Sequence, residues 1–463
     1  MKRINRWACK FISREAKQMK RVNLFLIMVV GTLILFTLSF ATAEELKLGR
    51  FDGVTIKACL IGGGDYEKIY ENFFPKFEEL TGAKVEIVYK GNGFDIDKKM
   101  KLDFAAGTVD YDVCWNHTSF FSQYFDFIEP LEKYFTEEEL ADFSPRIMQF
   151  AKKDGHLWFI PRHADISSLH YRTDLFNNPD LQQKFKEKYG YDLRPPETWD
   201  EFKEIALFLN NPPEIYGTQF AGKEEALSGR FWDILMAYGG KILDENYKPA
   251  FNGPEGIKVA TLLRDLYQAG AMPPGMVNFL WDDVAANWVN GTIAMYTEWY
   301  GWYSYFQNPE SSKVAGKFDL ARQPKGDAGI HSGWAGAHAF SVTKFSKNKE
   351  AAAALVKYIT SYEPQLFEGR IGYIPVRNSV FETLKKEAEG SPDPLAKKRV
   401  ELMQLQINED FTPPPIVPEW IPISNILYPT LQAIMLGDKT VEDGLNEAAK
   451  KVEELMEEAG YYN

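Results

Sequence analysis

At 463 residues, 45% hydrophobic and 25% charged, the chain has the length of at least two ordinary domains and the composition of a globular protein. Its net charge of −12 is unevenly spread, because residues 1–43 hold eight of the 53 bases and one of the 65 acids. The remaining body is strongly acidic, which excludes phosphate-backbone binding and any nucleic-acid partner that needs a basic face.

Met19-Lys20-Arg21 precedes an uncharged apolar run from Val22 to Phe40 and then Ala41-Thr42-Ala43. These are the three parts of a secretory signal peptide, so residues 1–43 are expected to export the body to a periplasmic or extracytoplasmic space. The run of 19 residues also approaches bilayer-spanning length, which leaves an uncleaved anchor as the alternative. No cysteine stands just after it, so a lipid anchor is not expected. Cys59 and Cys114 lie in apolar strand-like runs outside any Cys-x-x-Cys pair, and buried free thiols are expected rather than a disulfide.

The body opens with a strand from Val54 to Ile61, then Gly62-Gly63-Gly64-Asp65-Tyr66. A helix with Ile69, Phe73, Phe77 and Leu80 inward stops at Thr81-Gly82. A strand from Lys84 to Tyr89, a helix over 95–106 closed by Gly107, and a strand from Tyr111 to Trp115 follow. Strand, helix, strand, helix, strand predicts a parallel sheet whose ligands bind beyond the carboxyl ends of the strands. Gly63 to Tyr66, Gly91 to Gly93 and Trp115 to His117 are the loops there. The glycines carry neither a dinucleotide nor a Walker fingerprint.

Two extended segments flank Pro161 to Asp165, a candidate passage between lobes. Thr198-Trp199-Asp200-Glu201 caps a helix with Phe202, Ile205, Ala206 and Leu209 inward. Further helices are predicted near 255–269, 349–361 and 440–457, the last with Leu445, Ala448, Ala449, Val452 and Met456 inward. Pro413 to Trp420 reads as a Pro-rich loop. Gly291 to Met295 reads as a turn and short strand leading into residues 296–306, where seven of eleven residues are aromatic. No single period fits that run, so its rings either fill a core or wall a pocket that receives the C–H faces of a sugar.

None of the six histidines falls in a metal spacing, and no Gly-x-Ser-x-Gly elbow is present. Catalysis is not expected, nor a cofactor or a metal. Arg162 beside His163 suits either a polar ligand or a structural ion pair with a nearby acid. With Arg230 it also motivates an acidic sugar as ligand, since guanidinium holds carboxylates in two-point contacts.

Several segments together resemble the extracellular solute-binding proteins of ABC transporters, family 1, over about residues 50 to 460. They are Phe77 to Val85, Phe104 to Asp112, Tyr171 to Phe176 with Pro196 to Phe202, Gly291 to Met295, Ser346 to Ala351, and Leu436 to Leu445. The resemblance implies an α/β, two-lobed periplasmic-binding-protein fold of type II, hinged by strands crossing between lobes. Residues 44–164 and 333–373 would form lobe one, and 165–332 and 374–463 lobe two. It also implies a carbohydrate, expected to be an oligosaccharide, held in the interlobe cleft and delivered to ABC permease transmembrane subunits by a monomer without catalysis. Trp115 and Trp420 match family positions that stack on sugar, Asn116 and His117 follow Trp115 in its loop, and Asp165 matches a carboxylate that accepts from hydroxyls. Trp299 and Trp302 are alternative matches for a lobe-two tryptophan, with Tyr305 and Phe306 expected to pack behind. Trp334 and Tyr373 complete the candidate ligand residues, with Asp65, Tyr66, Arg162, His163 and Arg230. The first loop departs from the family pattern, having Gly64-Asp65-Tyr66 where relatives often place an Asp-Lys pair.

Overall fold

The computed structural model describes residues 46–462, so the expected signal peptide lies outside the described residues. Strand β1 (Thr55–Ile61) runs parallel to both β2 (Lys84–Gly91) and β3 (Val113–His117). Helix α1 (Lys68–Thr81) and helix α2 (Gly93–Ala106) make the crossovers. Local chemistry sets their ends. Gly82 and Gly107 stop the helices with φ of 75° and 66°, a left-handed region in which glycine has no Cβ penalty. The Asn92 side chain accepts from the Asp95 amide at 3.0 Å, capping α2. Cys59 stands opposite Cys114 in the β1–β3 register, both buried as free thiols.

The two extended segments anticipated around Pro161 to Asp165 are one continuous strand, β4 (Ile160–Arg172). Its second half pairs antiparallel with β5 (Met295–Trp299) and β6 (Phe318–Ala321), its first half with β7 (Gly333–Val342). The far end of β7 pairs with β3. Two short strands, β8 (Ile374–Pro375) and β9 (Phe411–Thr412), line β4 and β7 respectively. β5 starts later than the sequence suggests. Gly291 does turn the chain, with φ of 77°, but Ile293 is taken by a single bridge to Tyr216. The ladder with β4 therefore begins only at Met295.

Buried apolar side chains fall into two clusters, as a two-lobed fold requires. The first joins Ile56, Phe77, Phe121, Ile160 and Leu355; the second joins Phe202, Phe231, Leu263, Leu427 and Val452. The helix Trp199–Leu209 buries Phe202, Ile205, Ala206 and Leu209, and its cap, Thr198 Oγ1, accepts from the Glu201 amide at 3.1 Å. The helix Val441–Glu458 likewise buries the five residues expected and is capped by Thr440. One feature differs from expectation. Trp420 opens a helix, Trp420–Leu436, rather than ending a loop; Pro422 falls in its first turn, where proline's missing N–H loses no helical bond, while Pro429 lies inside. The helices Asn378–Glu389 and Ala396–Glu409 bury Val380, Phe381, Met403 and Ile407 in the first cluster, which also takes in Trp288, Tyr296, Phe306 and Phe318. Among the described residues no helix is long and apolar enough to cross a membrane.

Candidate functional site

Residues directly opposite in an antiparallel ladder share a face, and residues two apart on a strand share it too. The register sets Trp299 opposite Ser167, Asp165 opposite Gly336, and His163 opposite His338, with His117 on the other side of His338. One face of the crossing strands therefore carries three kinds of group in rows. At the lobe-two end the rings of Trp299 and Trp334 lie 4.9 Å apart, with Trp281 at 6.4 Å from Trp334. Asp165 comes next, then the row His163, His338, His117. The Trp334 ring lies so close over Gly229 that a Cβ there would meet it at 2.3 Å, so glycine is needed for this approach.

Hydrogen bonds tie these groups together. Trp115 Nε1 donates to His338 Nδ1 at 3.1 Å, and His338 Nε2 lies 2.9 Å from Asp165 Oδ2. Burial works against ionisation of Asp165, but the charge and hydrogen bond of His338, helped by His163 and His117, outweigh it and hold the carboxyl at about 2. The His163 ring is stacked between His338 and Tyr373, 4.4 Å from each, and Tyr66 lies 5.2 Å from His338. Burial pushes His163 down to about 4 against the pull of Glu368, and pushes His117 down to about 3 with His338 adding to it. At neutral pH the site thus presents uncharged His163 and His117, aromatic faces and one charged acceptor. Flat apolar faces with a hydroxyl-accepting edge suit a polyhydroxyl ligand.

The other candidates divide. Tyr66 and Tyr373 are half-buried at the imidazole stack, and Asp65 shares the short turn Gly64–Glu67 with Tyr66, its side chain outside what is described. Trp302 is half-buried and stacks on Phe306 with an interplanar angle of 11°, while Trp299 is the one whose ring joins Trp334. Phe306 packs in the core as expected, but Tyr305 is 43% exposed rather than packed behind. Gly301, within the same run, approaches Asp165: a Cβ there would lie 3.6 Å from Oδ1.

Four candidates serve the fold's interior. A register shift between Pro161 and His163 lets both Arg162 and His163 reach Glu368. The fully buried Arg162 guanidinium donates to Glu368 at 2.7 Å, to the Tyr70 hydroxyl at 3.0 Å and to the Tyr66 carbonyl at 3.1 Å. Arg230 is similarly committed to Asp233 at 2.7 Å and the Thr297 carbonyl at 3.0 Å. Asn116 is buried and accepts from the His117 amide at 2.9 Å, bracing its own loop. Trp420 is buried in the second cluster and donates to Glu225 at 2.6 Å, because the helix it opens turns its ring inward. Sequence reasoning missed His338, Trp281 and Glu368. The alternation of Trp334, Gly336 and His338 along one strand face was a usable signal for the first; nothing local marked the others.

The profile of the bacterial extracellular solute-binding proteins matches residues 63–366. A probable ABC transporter-binding protein of Deinococcus radiodurans is 30% identical over 243 residues, covering 51% of this chain and 54%, about half, of its own length. A mannitol-binding protein of Pseudomonas aeruginosa is 25% identical over 353 residues, covering 72% of this chain and 77% of its own. Among solved structures, maltose-bound MalE3 of T. maritima superposes with a TM-score of 0.72 at 26% identity, covering 87% of this chain and all of that one. These similarities are with binding proteins, not enzymes.

Proposed function

The chain belongs to the bacterial extracellular solute-binding proteins, and we propose that it is a receptor that captures a neutral carbohydrate or polyol between its lobes for an ABC importer. The observation that carries the neutral reading is the state of the two arginines. Both guanidinium groups are buried and occupied by internal partners, so the site holds an ionised Asp165 and aromatic faces but no free guanidinium for a carboxylate. The acidic-sugar reading that Arg162 and Arg230 motivated therefore loses its support. The relatives that bind mannitol and maltose support a polyhydroxyl ligand. Export by the leader, action as a monomer and delivery to permease transmembrane subunits belong to the same reading.

We place the boundary between lobes at the midpoint of β4, near Ala164, and at the matching stretch of β7. Residues 376–411 go with lobe one, where Arg377 pairs with Asp142, Ser144 donates to Asn408 and Arg146 donates to the Phe411 carbonyl. Crossing strands of this kind let the lobes swing, and a ligand touching both favours closure through its differential affinity for the closed state. A thermal-shift screen of neutral oligosaccharides, polyols and uronates tests the reading. Saturable stabilisation by a neutral sugar or polyol is the expected result; stabilisation by uronates alone refutes it.

A further inference from the structure

Three imidazoles and a carboxylate meet at the centre of the crossing strands, and nitrogens of His163 and His338 lie within 4.8 Å of each other and of an Asp165 oxygen. Such a set invites a divalent cation, but the hydrogen bonds around it decide otherwise. An indole N–H only donates, so His338 Nδ1, which receives it from Trp115, must carry the lone pair. His338 Nε2 then bears the proton and donates it to Asp165. His117 is fixed the same way: its Nδ1 accepts the Ser119 amide at 3.2 Å, which leaves N–H at Nε2. A metal needs lone pairs, and two of the three imidazoles turn N–H groups outward.

His163 is the exception. Its Nδ1 faces the ionised Glu368 at 3.3 Å and so carries the proton, which leaves the lone pair on Nε2. That nitrogen is buried and has no hydrogen-bond partner among the described residues. A buried acceptor without a partner is unusual enough to need a reason. Asp165, two residues along on the same strand face, has Oδ2 engaged by His338, while Oδ1 points to the side from which the Gly301 backbone approaches.

We propose that His163 Nε2 and Asp165 Oδ1 form a two-acceptor reader for a pair of neighbouring hydroxyl groups, a vicinal diol on a neutral sugar or polyol. The proposal rests on the receptor reading and sharpens it. Each hydroxyl donates one proton, one to the imidazole and one to the carboxylate, while the aromatic rings take the C–H faces. A carboxylate set in place of either hydroxyl has no proton to offer and meets a like charge at Asp165, so the same two atoms reject it. Glu368 is the positioning residue: by taking the proton of Nδ1 it keeps Nε2 an acceptor.

The test is titration calorimetry of the full chain with maltose and with D-mannitol, then with monodeoxy analogues of whichever binds. Two monodeoxy analogues, lacking hydroxyls on adjacent carbons, are each expected to bind about tenfold or more weakly. His163→Phe keeps a ring in the stack between His338 and Tyr373, and Arg162 still neutralises Glu368. It should weaken the parent ligand about tenfold and flatten one of the two deoxy penalties to under about threefold. Parent binding with an affinity unchanged by His163→Phe overturns the diol reader and leaves the receptor reading standing. If the variant fails to fold, the unmutated chain decides the matter: adjacent deoxy penalties support the reader, and their absence overturns it. Absence of binding by either ligand overturns both.

Discussion

The ion pair of Arg162 and Glu368 offers the sharpest test of how the crossing is held together. Both side chains are essentially inaccessible, at 0% and 1%, and the pair is closed by contacts of 2.5 Å and 2.7 Å to the same carboxylate oxygen. Burial raises the Glu368 carboxyl, but the Arg162 charge, then His163, overcome it and hold it at about 2. Glu368→Gln keeps the shape but removes the charge, leaving a guanidinium in the interior without a counter-ion. Breaking a buried pair from one side costs about 3–5 kcal/mol, because the surviving charge remains desolvated. For lobes of this size that is a fall in Tm of roughly 6–20 °C. Thermal unfolding followed by circular dichroism at pH 7 measures it. The replacement Arg162→Met with Glu368→Leu should recover much of the loss, since no buried charge then remains. A single Glu368→Gln variant within about 1 kcal/mol of the parent would show that the pair is solvated and the reasoning wrong.

Other outcomes follow from the same structure. Trp299→Ala should weaken ligand binding about tenfold or more with a small stability change, whereas Trp420→Ala, buried in the second cluster, should cost about 3–5 kcal/mol of stability; calorimetry and urea unfolding separate the two. Burial raises Glu225, against the Trp420 N–H, and Glu298, against the Arg230 charge, each to about 7. A folded-state carboxyl above its unfolded value holds a proton that the unfolded chain has released, so stability falls as pH rises from about 4.5 to 7. Glu368 and Asp165, both held at about 2, act oppositely, adding stability as pH rises from about 2 to 4. His163 and His117, held by burial at about 4 and 3, likewise add stability as pH rises toward about 6.5 and oppose the two raised glutamates. The diagnostic is therefore the difference between variants: Glu298→Gln should gain stability relative to the parent as pH rises from about 4.5 to 7, and a variant profile parallel to the parent's would contradict the assignment. Burial pushes the Cys59 thiol up to about 12 and also raises Cys114, so neither should react with a thiol reagent at pH 8 until the protein is unfolded.

Much of this molecule could be read one element at a time, and the reason is periodicity. The helices ending at Gly82 and Gly107, and the one opening at Thr440, follow from side chains within a turn of each other, so their inward faces were legible. What failed was what depends on distant partners. The start of β5 is decided by where β4 offers a ladder, and Ile293 is drawn off by Tyr216. The helix at Trp420 hid behind prolines that one-dimensional rules count as breakers. At the site, the residue types pointed to sugar chemistry, but assigning roles needed the cross-strand register. Arg162 and His163 are neighbours in sequence and share Glu368 across 205 residues and more, yet only one of them has its whole polar head engaged. Arg162 has its donors taken by Glu368, Tyr70 and Tyr66; His163 has one nitrogen taken and one left over. The same carboxylate thus removes a cation from the site and fixes an acceptor within it, which is why charge type read from sequence pointed toward acidic ligands and the folded arrangement points toward neutral ones.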